Sequence, residues 1–242
     1  ERTIAFPGPA RRNGTPRWLT DNRTILFEGP SNDAPRRTVI AFDIESGQSR
    51  SLAENLPTAF YDTTADASEV HYVKDSGYHT MMALDTRTKT EREVGTVEGR
   101  IFHVATAPDG KSIACLMAPK IVNGEPEKKP SALIVMDVTT GQSRVLSAVG
   151  PEVGNVVFFR RMISWTPDGK TVLLRARKGG KSVIWSYPAE GGAGRLLLET
   201  SAPLWDMAVS LDGKTLSYTE STRGYDLWVL ENFLPAAGAA RK

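Results

Sequence analysis

Cysteine is almost missing from this chain of 242 residues, which has one thiol, at Cys115. A single cysteine excludes a disulfide within the chain. Cys115 lies in an apolar run with the character of a strand, so we expect a buried core thiol rather than a reactive one. Catalytic motifs are scarce as well. The chain has no Gly-x-Ser-x-Gly sequence of the kind that places a hydrolase nucleophile. Residues 179–182 resemble the end of a phosphate-binding loop, but Arg175 stands where that motif requires glycine.

An excess of charge of one sign and a long hydrophobic run are also missing. Lysine and arginine number 30 against 28 aspartates and glutamates, a net charge of +2. Such a balance gives no general attraction to nucleic acid or to an anionic membrane, so we expect no nucleic-acid partner. No apolar run approaches the roughly 20 residues needed to cross a bilayer, so no membrane span is expected in this chain.

A short turn sequence repeats along the chain. Asp-Gly-Lys occurs three times, each time just before an apolar run, and two degenerate copies fit the same frame. Asp and Asn bond their own backbone in tight turns, and Gly tolerates positive φ, so each copy predicts a turn into a strand. The five copies are Asp21–Arg23, Asp66–Ser68, Asp109–Lys111, Asp168–Lys170 and Asp212–Lys214.

A second pattern follows each turn and predicts a β-hairpin. Residues 40–52 match residues 134–146: an apolar strand, an aspartate, a turn containing glycine, and another strand. Each repeat therefore has four strands, here named a to d in chain order. A period of about 45 residues with four short strands is typical of a β-propeller blade. Helical periodicity does not persist beyond a turn or two. The sequence predicts an all-β propeller.

Strand counting predicts five blades and the way in which the ring closes. The fifth repeat lacks residues for strand d, while Thr3–Phe6 forms an extra strand ahead of the first blade. Because an open ring exposes two sheet edges, we expect this N-terminal strand to complete the last blade. A fragment of a larger propeller is the competing interpretation. We expect one propeller domain over residues 1–242, with blades near 15–53, 57–95, 100–147, 159–199 and 203–233 plus strand 2–6, and a tail at 234–242.

The repeats resemble those of the TolB-type WD40-like (PD40) β-propellers. Residues 107–111 and 165–170, each followed by a strand and a hairpin, carry the resemblance, which extends from about Trp18 to Phe233. The resemblance implies a bacterial protein outside the cytoplasm, in the periplasm or beyond, that binds a protein or peptide. The same repeat occurs in tricorn protease, in prolyl-oligopeptidase relatives and beside bacterial kinases. The chain resembles none of the motifs that carry the chemistry of those proteins.

The loops indicate which face of the ring binds. The a–b turns are uniformly tight, while residues 29–37 and 118–131 form long b–c loops and residues 147–156 a long d–a segment. Function tends to lie on long loops that a rigid scaffold holds. We therefore expect a mildly basic binding surface on the b–c and d–a side, the long-loop face. Its candidate residues are Arg36, Arg37, Lys128, Lys129, Lys178, Lys181 and Arg223.

The sequence thus favours a non-catalytic, monomeric module that binds a protein or peptide, with no cofactor and no metal. One alternative is an accessory propeller of a larger enzyme, a peptidase or a kinase. Another is a metal-dependent lyase or hydrolase in the central channel, where His71, His79 and His103 would converge. Trp18 and Trp165 occupy the same position in strand a of their repeats and predict packing between blades.

Overall fold

The computed structural model describes residues 16–29, 37–58, 60–74, 77–128, 131–149, 162–221, 225–231 and 233. Every regular element in these ranges is a β-strand. No helix long and apolar enough to cross a membrane occurs in them. The predicted closing strand, Thr3–Phe6, lies outside the described residues, so the closure of the ring by that strand stays a prediction.

Five antiparallel sheets follow one another along the chain, and their order confirms the five-bladed propeller. Within each of these sheets the strands are arranged in chain order, as in a meander. The strands of the first three blades are β1 (Arg17–Trp18), β2 (Thr24–Gly29), β3 (Arg37–Asp43) and β4 (Ser49–Leu56); β5 (Tyr61–Thr63), β6 (Glu69–Lys74), β7 (Thr80–Asp85) and β8 (Glu91–Thr96); and β9 (Arg100–Thr106), β10 (Ser112–Ala118), β13 (Ser131–Asp137) and β14 (Ser143–Val149).

Blade three also has a small extra hairpin between its strands b and c, and blade five has three strands among the described residues. The extra hairpin consists of β11 (Ile121–Val122) and β12 (Glu125–Pro126). The remaining strands are β15 (Ile163–Trp165), β16 (Thr171–Lys178), β17 (Lys181–Pro188) and β18 (Arg195–Thr200) in blade four, and β19 (Leu204–Val209), β20 (Thr215–Ser221) and β21 (Tyr225–Glu231) in blade five.

The a–b turn is the same in all five blades. In blade four the Gly169 amide donates to the carbonyl of Thr166 at 2.9 Å, and the Lys170 amide donates to the Asp168 carboxylate at 3.0 Å. The same two bonds recur in every other blade. The residue after the aspartate has positive φ each time, including Asn22 at 52° and Ala67 at 57°. The two degenerate copies therefore form the predicted turn without glycine.

Buried side chains fill the spaces between consecutive blades. Val172 and Leu174 of β16 join the core shared with blade three, while Leu173 between them joins the core shared with blade five. Successive side chains of a strand point to opposite faces, and here both faces are covered. This is why the strands are continuous apolar runs rather than alternating ones. Cys115 is fully buried in the core between blades two and three, as predicted.

Replacing Gly169 with alanine should destabilise the propeller by about 1–2 kcal/mol, because an L-residue in the left-handed region pays that much. Among the described residues, a methyl group at this position would contact only Pro108, at 3.9 Å, so the loss would come from the backbone and not from crowding. Urea unfolding followed by tryptophan fluorescence measures the change. Asn22→Gly is the matched control and should leave stability equal or slightly higher. Equal stability of Gly169→Ala and wild type would contradict the assigned turn.

Candidate binding site

The first strand of every blade lines a channel along the ring axis. A cavity of about 480 Å³ opens at the end of this channel where the a–b turns lie. Residues of β1, β5, β9, β15 and β19 all contribute to its wall, so the five blades enclose it together. The rim consists of turn residues, including Pro108, Pro167 and Leu211. This end of the channel is called the turn-face mouth below.

The two tryptophans that share a position in the repeat differ in their surroundings. Trp165 is 8% exposed, and its indole N–H donates to the Ala105 carbonyl of blade three at 2.8 Å. This contact fits the predicted packing between blades. Trp18 is 55% exposed and lines both the turn-face mouth and a second cavity between blades one and five. The shared position therefore gives a buried blade contact in one case and an exposed indole in the other.

Charged and polar side chains connect the first three blades at the wall of the channel. The Arg17 guanidinium of blade one forms an ion pair with Asp62 of blade two and also donates to the Thr63 hydroxyl. The other Asp62 oxygen accepts a hydrogen bond from the Thr106 amide of blade three at 2.8 Å. A buried carboxylate is stable only when it is paired and hydrogen-bonded. Asp62 meets both conditions, so these groups are structural contacts between blades.

His71 continues this network into the interior. Its Nε2 lies 3.1 Å from a Glu69 oxygen, and its Nδ1 lies 2.9 Å from the Thr106 hydroxyl. Because a carboxylate only accepts, Nε2 carries the proton and the Thr106 hydroxyl donates to Nδ1. Burial lowers the pKa of His71 below its usual value, against the opposing effect of Glu69. His71 is therefore a neutral core histidine with both ring nitrogens bonded.

The long b–c loop of blade three is an ordered hairpin on the long-loop face. Asn123 and Gly124 both have positive φ, at 54° and 85°, as a type I′ turn requires. Ile121 and Val122 on its first strand are 44% and 48% exposed. The length of this segment predicts only a long loop, whereas its Asn-Gly pair is a strong hairpin signal. The hairpin presents two adjacent apolar side chains to solvent.

The predicted basic residues of the long-loop face lie in different environments. Arg37 is buried and forms an ion pair with Glu28, so its charge is used inside the protein. Lys128 is exposed. Lys178 is exposed and lies 5.4 Å above the Trp185 ring, and Lys181 pairs with Glu199 at 2.5 Å. The others, which lie outside the described residues, are Arg36, Lys129 and Arg223.

An aromatic cluster that the sequence patterns do not indicate lies between blades two and three, at the long-loop end of β9. Phe60 of blade two makes edge contacts with Tyr78 at 5.7 Å and with Phe102 at 5.5 Å. His103 lies 6.1 Å from Phe60. The Arg100 guanidinium lies 5.0 Å from the centre of the Phe102 ring, in cation–π contact. The residues of this cluster come from the start of a strand, from a loop and from the next blade, so no single stretch of sequence indicates it.

The three histidines do not form a metal site. His71 is bonded inside the core and His79 is exposed, while His103 lies on strand a of blade three. Throughout the described part of the chain, no three His, Cys, Asp or Glu side chains are grouped so that they could hold a metal ion.

The fold is a β-propeller. Its described polar and aromatic side chains either make contacts within the ring or lie exposed on the loops. No family model matches the sequence, and no curated protein matches it either. Solved structures do match it. TolB from Acinetobacter baumannii is similar with a TM-score of 0.65 and 20% identity, over 87% of this chain and 50% of that one. This chain therefore spans about half the length of that TolB.

Two further solved structures show the same architecture. A putative TolB from Agrobacterium tumefaciens has a TM-score of 0.65 and 13% identity, over 91% of this chain and 77% of that one. An oligogalacturonate lyase from Vibrio parahaemolyticus has a TM-score of 0.53 and 17% identity, over 89% and 73% of the two chains. Prolyl endopeptidase and dipeptidyl peptidase chains are matched as well. Similarity at this level of identity shows a TolB-like propeller fold, and function has to be inferred from the side chains of the site.

The buried, neutral His71 predicts that stability falls as the pH drops. Its pKa is lowered in the folded protein, so the unfolded chain binds the proton first, as the pH passes below about 6.5. The free energy of unfolding should then decrease between pH 7 and pH 5, and His71→Gln should flatten this slope. Urea unfolding at a series of pH values gives the free energy of unfolding of both proteins. His103, whose pKa burial lowers to about 4, should leave a residual slope in the variant. Identical slopes in the two proteins would contradict the assignment.

The two equivalent tryptophans should respond differently to the same substitution. Trp165→Phe removes a buried hydrogen bond between two blades, so it should cost about 0.5–1.5 kcal/mol. Trp18→Phe removes an exposed indole and should change stability by less than about 0.5 kcal/mol. Thermal unfolding of both variants gives the comparison. Equal losses would show that Trp18 is buried in solution as Trp165 is.

Proposed function

We propose that this protein is a non-catalytic binding module of the TolB-type WD40-like (PD40) repeat family, which binds a protein or peptide through its long-loop face. The proposal includes one propeller domain that is monomeric and lies outside the cytoplasm of a bacterium. The β11–β12 hairpin carries it, because this hairpin holds Ile121 and Val122 in solvent on an ordered scaffold. Exposed apolar side chains on a rigid element are typical anchors of protein interfaces.

The charges near this hairpin support a partner with an acidic segment. Lys128 follows the hairpin, and Lys178 and Lys181 lie on the b–c turn of blade four on the same face. Cations at the rim of an interface steer a partner of opposite charge and contribute more to the association rate than to affinity. Arg36, Lys129 and Arg223 belong to the same predicted surface. Arg37 does not contribute, since Glu28 holds it inside.

An accessory role in a larger enzyme is the second candidate. It rests on the matched peptidase chains, which are longer than this one. The complete reading frame of the gene tests it. A hydrolase domain encoded in the same frame would favour this role over the independent module.

Substituting the hairpin should weaken partner binding without unfolding the ring. The variant is Ile121→Asp with Val122→Asp, which places charges where apolar contact is proposed. Photocrosslinking from position 128 in the native bacterium, followed by mass spectrometry, should identify a single main partner. Affinity of the purified partner should fall at least tenfold in the double variant.

Leu211→Asp is the matched control, because Leu211 is 61% exposed at the turn-face mouth on the other side of the ring. It should bind the partner like wild type, and both proteins should melt at the same temperature. If the partner binds the hairpin variant as tightly as wild type, or is lost in Leu211→Asp instead, the long-loop face is not the interface.

A further inference from the structure

Backbone geometry sets His103 apart from the rest of strand a. Phe102 pairs with Leu116 and Val104 pairs with Cys115, so His103 between them has no partner and forms a β-bulge. Its φ is +52°, in the left-handed region. An L-residue adopts this region at a cost, and bulges often re-aim a side chain beside a functional site. Here the bulge places the imidazole 6.1 Å from the Phe60 ring.

Two arginines from different blades bring positive charge to this place. Arg100 stacks on Phe102, and its Nε is buried without a hydrogen-bond partner among the described residues. Arg175 of blade four reaches across to blade five, where its guanidinium donates to the Leu204 carbonyl. Its charge also acts on the His103 imidazole. A buried N–H donor without an acceptor costs free energy in the absence of a ligand.

The electrostatics select the ligand class. Burial first, and then the charge of Arg175, lower the pKa of His103 to about 4, so the imidazole is neutral at pH 7. The charge of Arg175 near the imidazole and that of Arg100 on the Phe102 ring would both repel a cationic ligand. An anion would gain charge-assisted hydrogen bonds, and guanidinium suits a planar carboxylate best. The rings of Phe60, Tyr78 and Phe102 would pack an apolar or aromatic group attached to that carboxylate.

We propose that Arg100, Arg175 and His103, with the rings of Phe60, Tyr78 and Phe102, form a binding site for a carboxylate attached to an aromatic or apolar group. The site deepens the proposed function and rests on it in one respect: the carboxylate belongs to the bound peptide, as its C-terminus or as an acidic side chain. In this arrangement the β11–β12 hairpin contacts the apolar part of the partner, and the site at His103 binds the partner's anionic group.

Three small probes and the purified protein test the site. N-acetylphenylalanine supplies a C-terminal carboxylate beside an aromatic ring, and N-acetyl-aspartyl-phenylalanine amide supplies a side-chain carboxylate. N-acetylphenylalanine amide has the same ring without charge. Binding is followed by the ¹⁵N shifts of the His103 ring. At least one carboxylate probe should bind tenfold more tightly than the neutral amide. The carboxylate probe with the higher affinity shows whether the site takes a C-terminal or a side-chain carboxylate.

Arg100→Gln and Arg175→Gln, tested separately, should each lower the affinity for the carboxylate probe at least tenfold. Arg177→Gln is the matched control, because its side chain donates to the Gly180 carbonyl of its own loop. It should bind the probe like wild type, and the melting temperatures show which variants are folded. Equal affinity for acid and amide, or unchanged affinity in both folded arginine variants, would overturn the proposal. The Ile121→Asp, Val122→Asp protein should still bind the probe. Failure of partner binding at the hairpin and failure of carboxylate binding at this site can therefore be told apart.

Discussion

One hydrogen-bonded turn determines how the chain enters every blade. The aspartate carboxylate accepts the amide two residues on, at 3.0 Å in all five blades, and the residue between them adopts positive φ. These bonds hold strands a and b as a tight hairpin, so strand a lies along the channel and strand b beside it. Hydrogen bonds lower the pKa of Asp21 and Asp212, so these two carboxylates stay charged to a lower pH than an ordinary aspartate does. Each of these aspartates therefore stabilises the backbone of its own turn.

Packing between blades follows from this arrangement. A strand held between two neighbouring blades buries both faces, as Leu173 and Leu174 do on opposite sides of β16. A polar group in the interior is stable when it has a hydrogen-bond partner. The chain of contacts from Arg17 through Asp62 to Thr106 meets this condition across three blades. The channel wall near the turns is therefore stable without a ligand.

Local signals predicted the fold, while the site depends on contacts between distant residues. Turns and apolar runs are properties of a few neighbouring residues, so the repeat, the blade order and even the turns at Asn22 and Ala67 could be predicted. The hairpin at Asn123–Gly124 also had a local signal, which the length of the loop obscured. The burial of Arg37 depends on Glu28 across a strand pair, and the exposure of Trp18 depends on blade five. The bulge at His103 has no sequence signal, because pattern alone does not show where a strand pair shifts register.

The two ends of the channel differ in whether their polar groups are already used. At the turn-face mouth, Arg17 and the Trp165 indole both bind groups of the protein itself. At the other end, the buried Arg100 Nε has no partner among the described residues, and His103 is held in a costly backbone conformation. Strain and unused donors persist only where the surrounding structure is stable enough to hold them. The turns and the blade cores supply that stability from outside the loops. Changes in the loops can therefore alter what the ring binds while the ring itself remains folded.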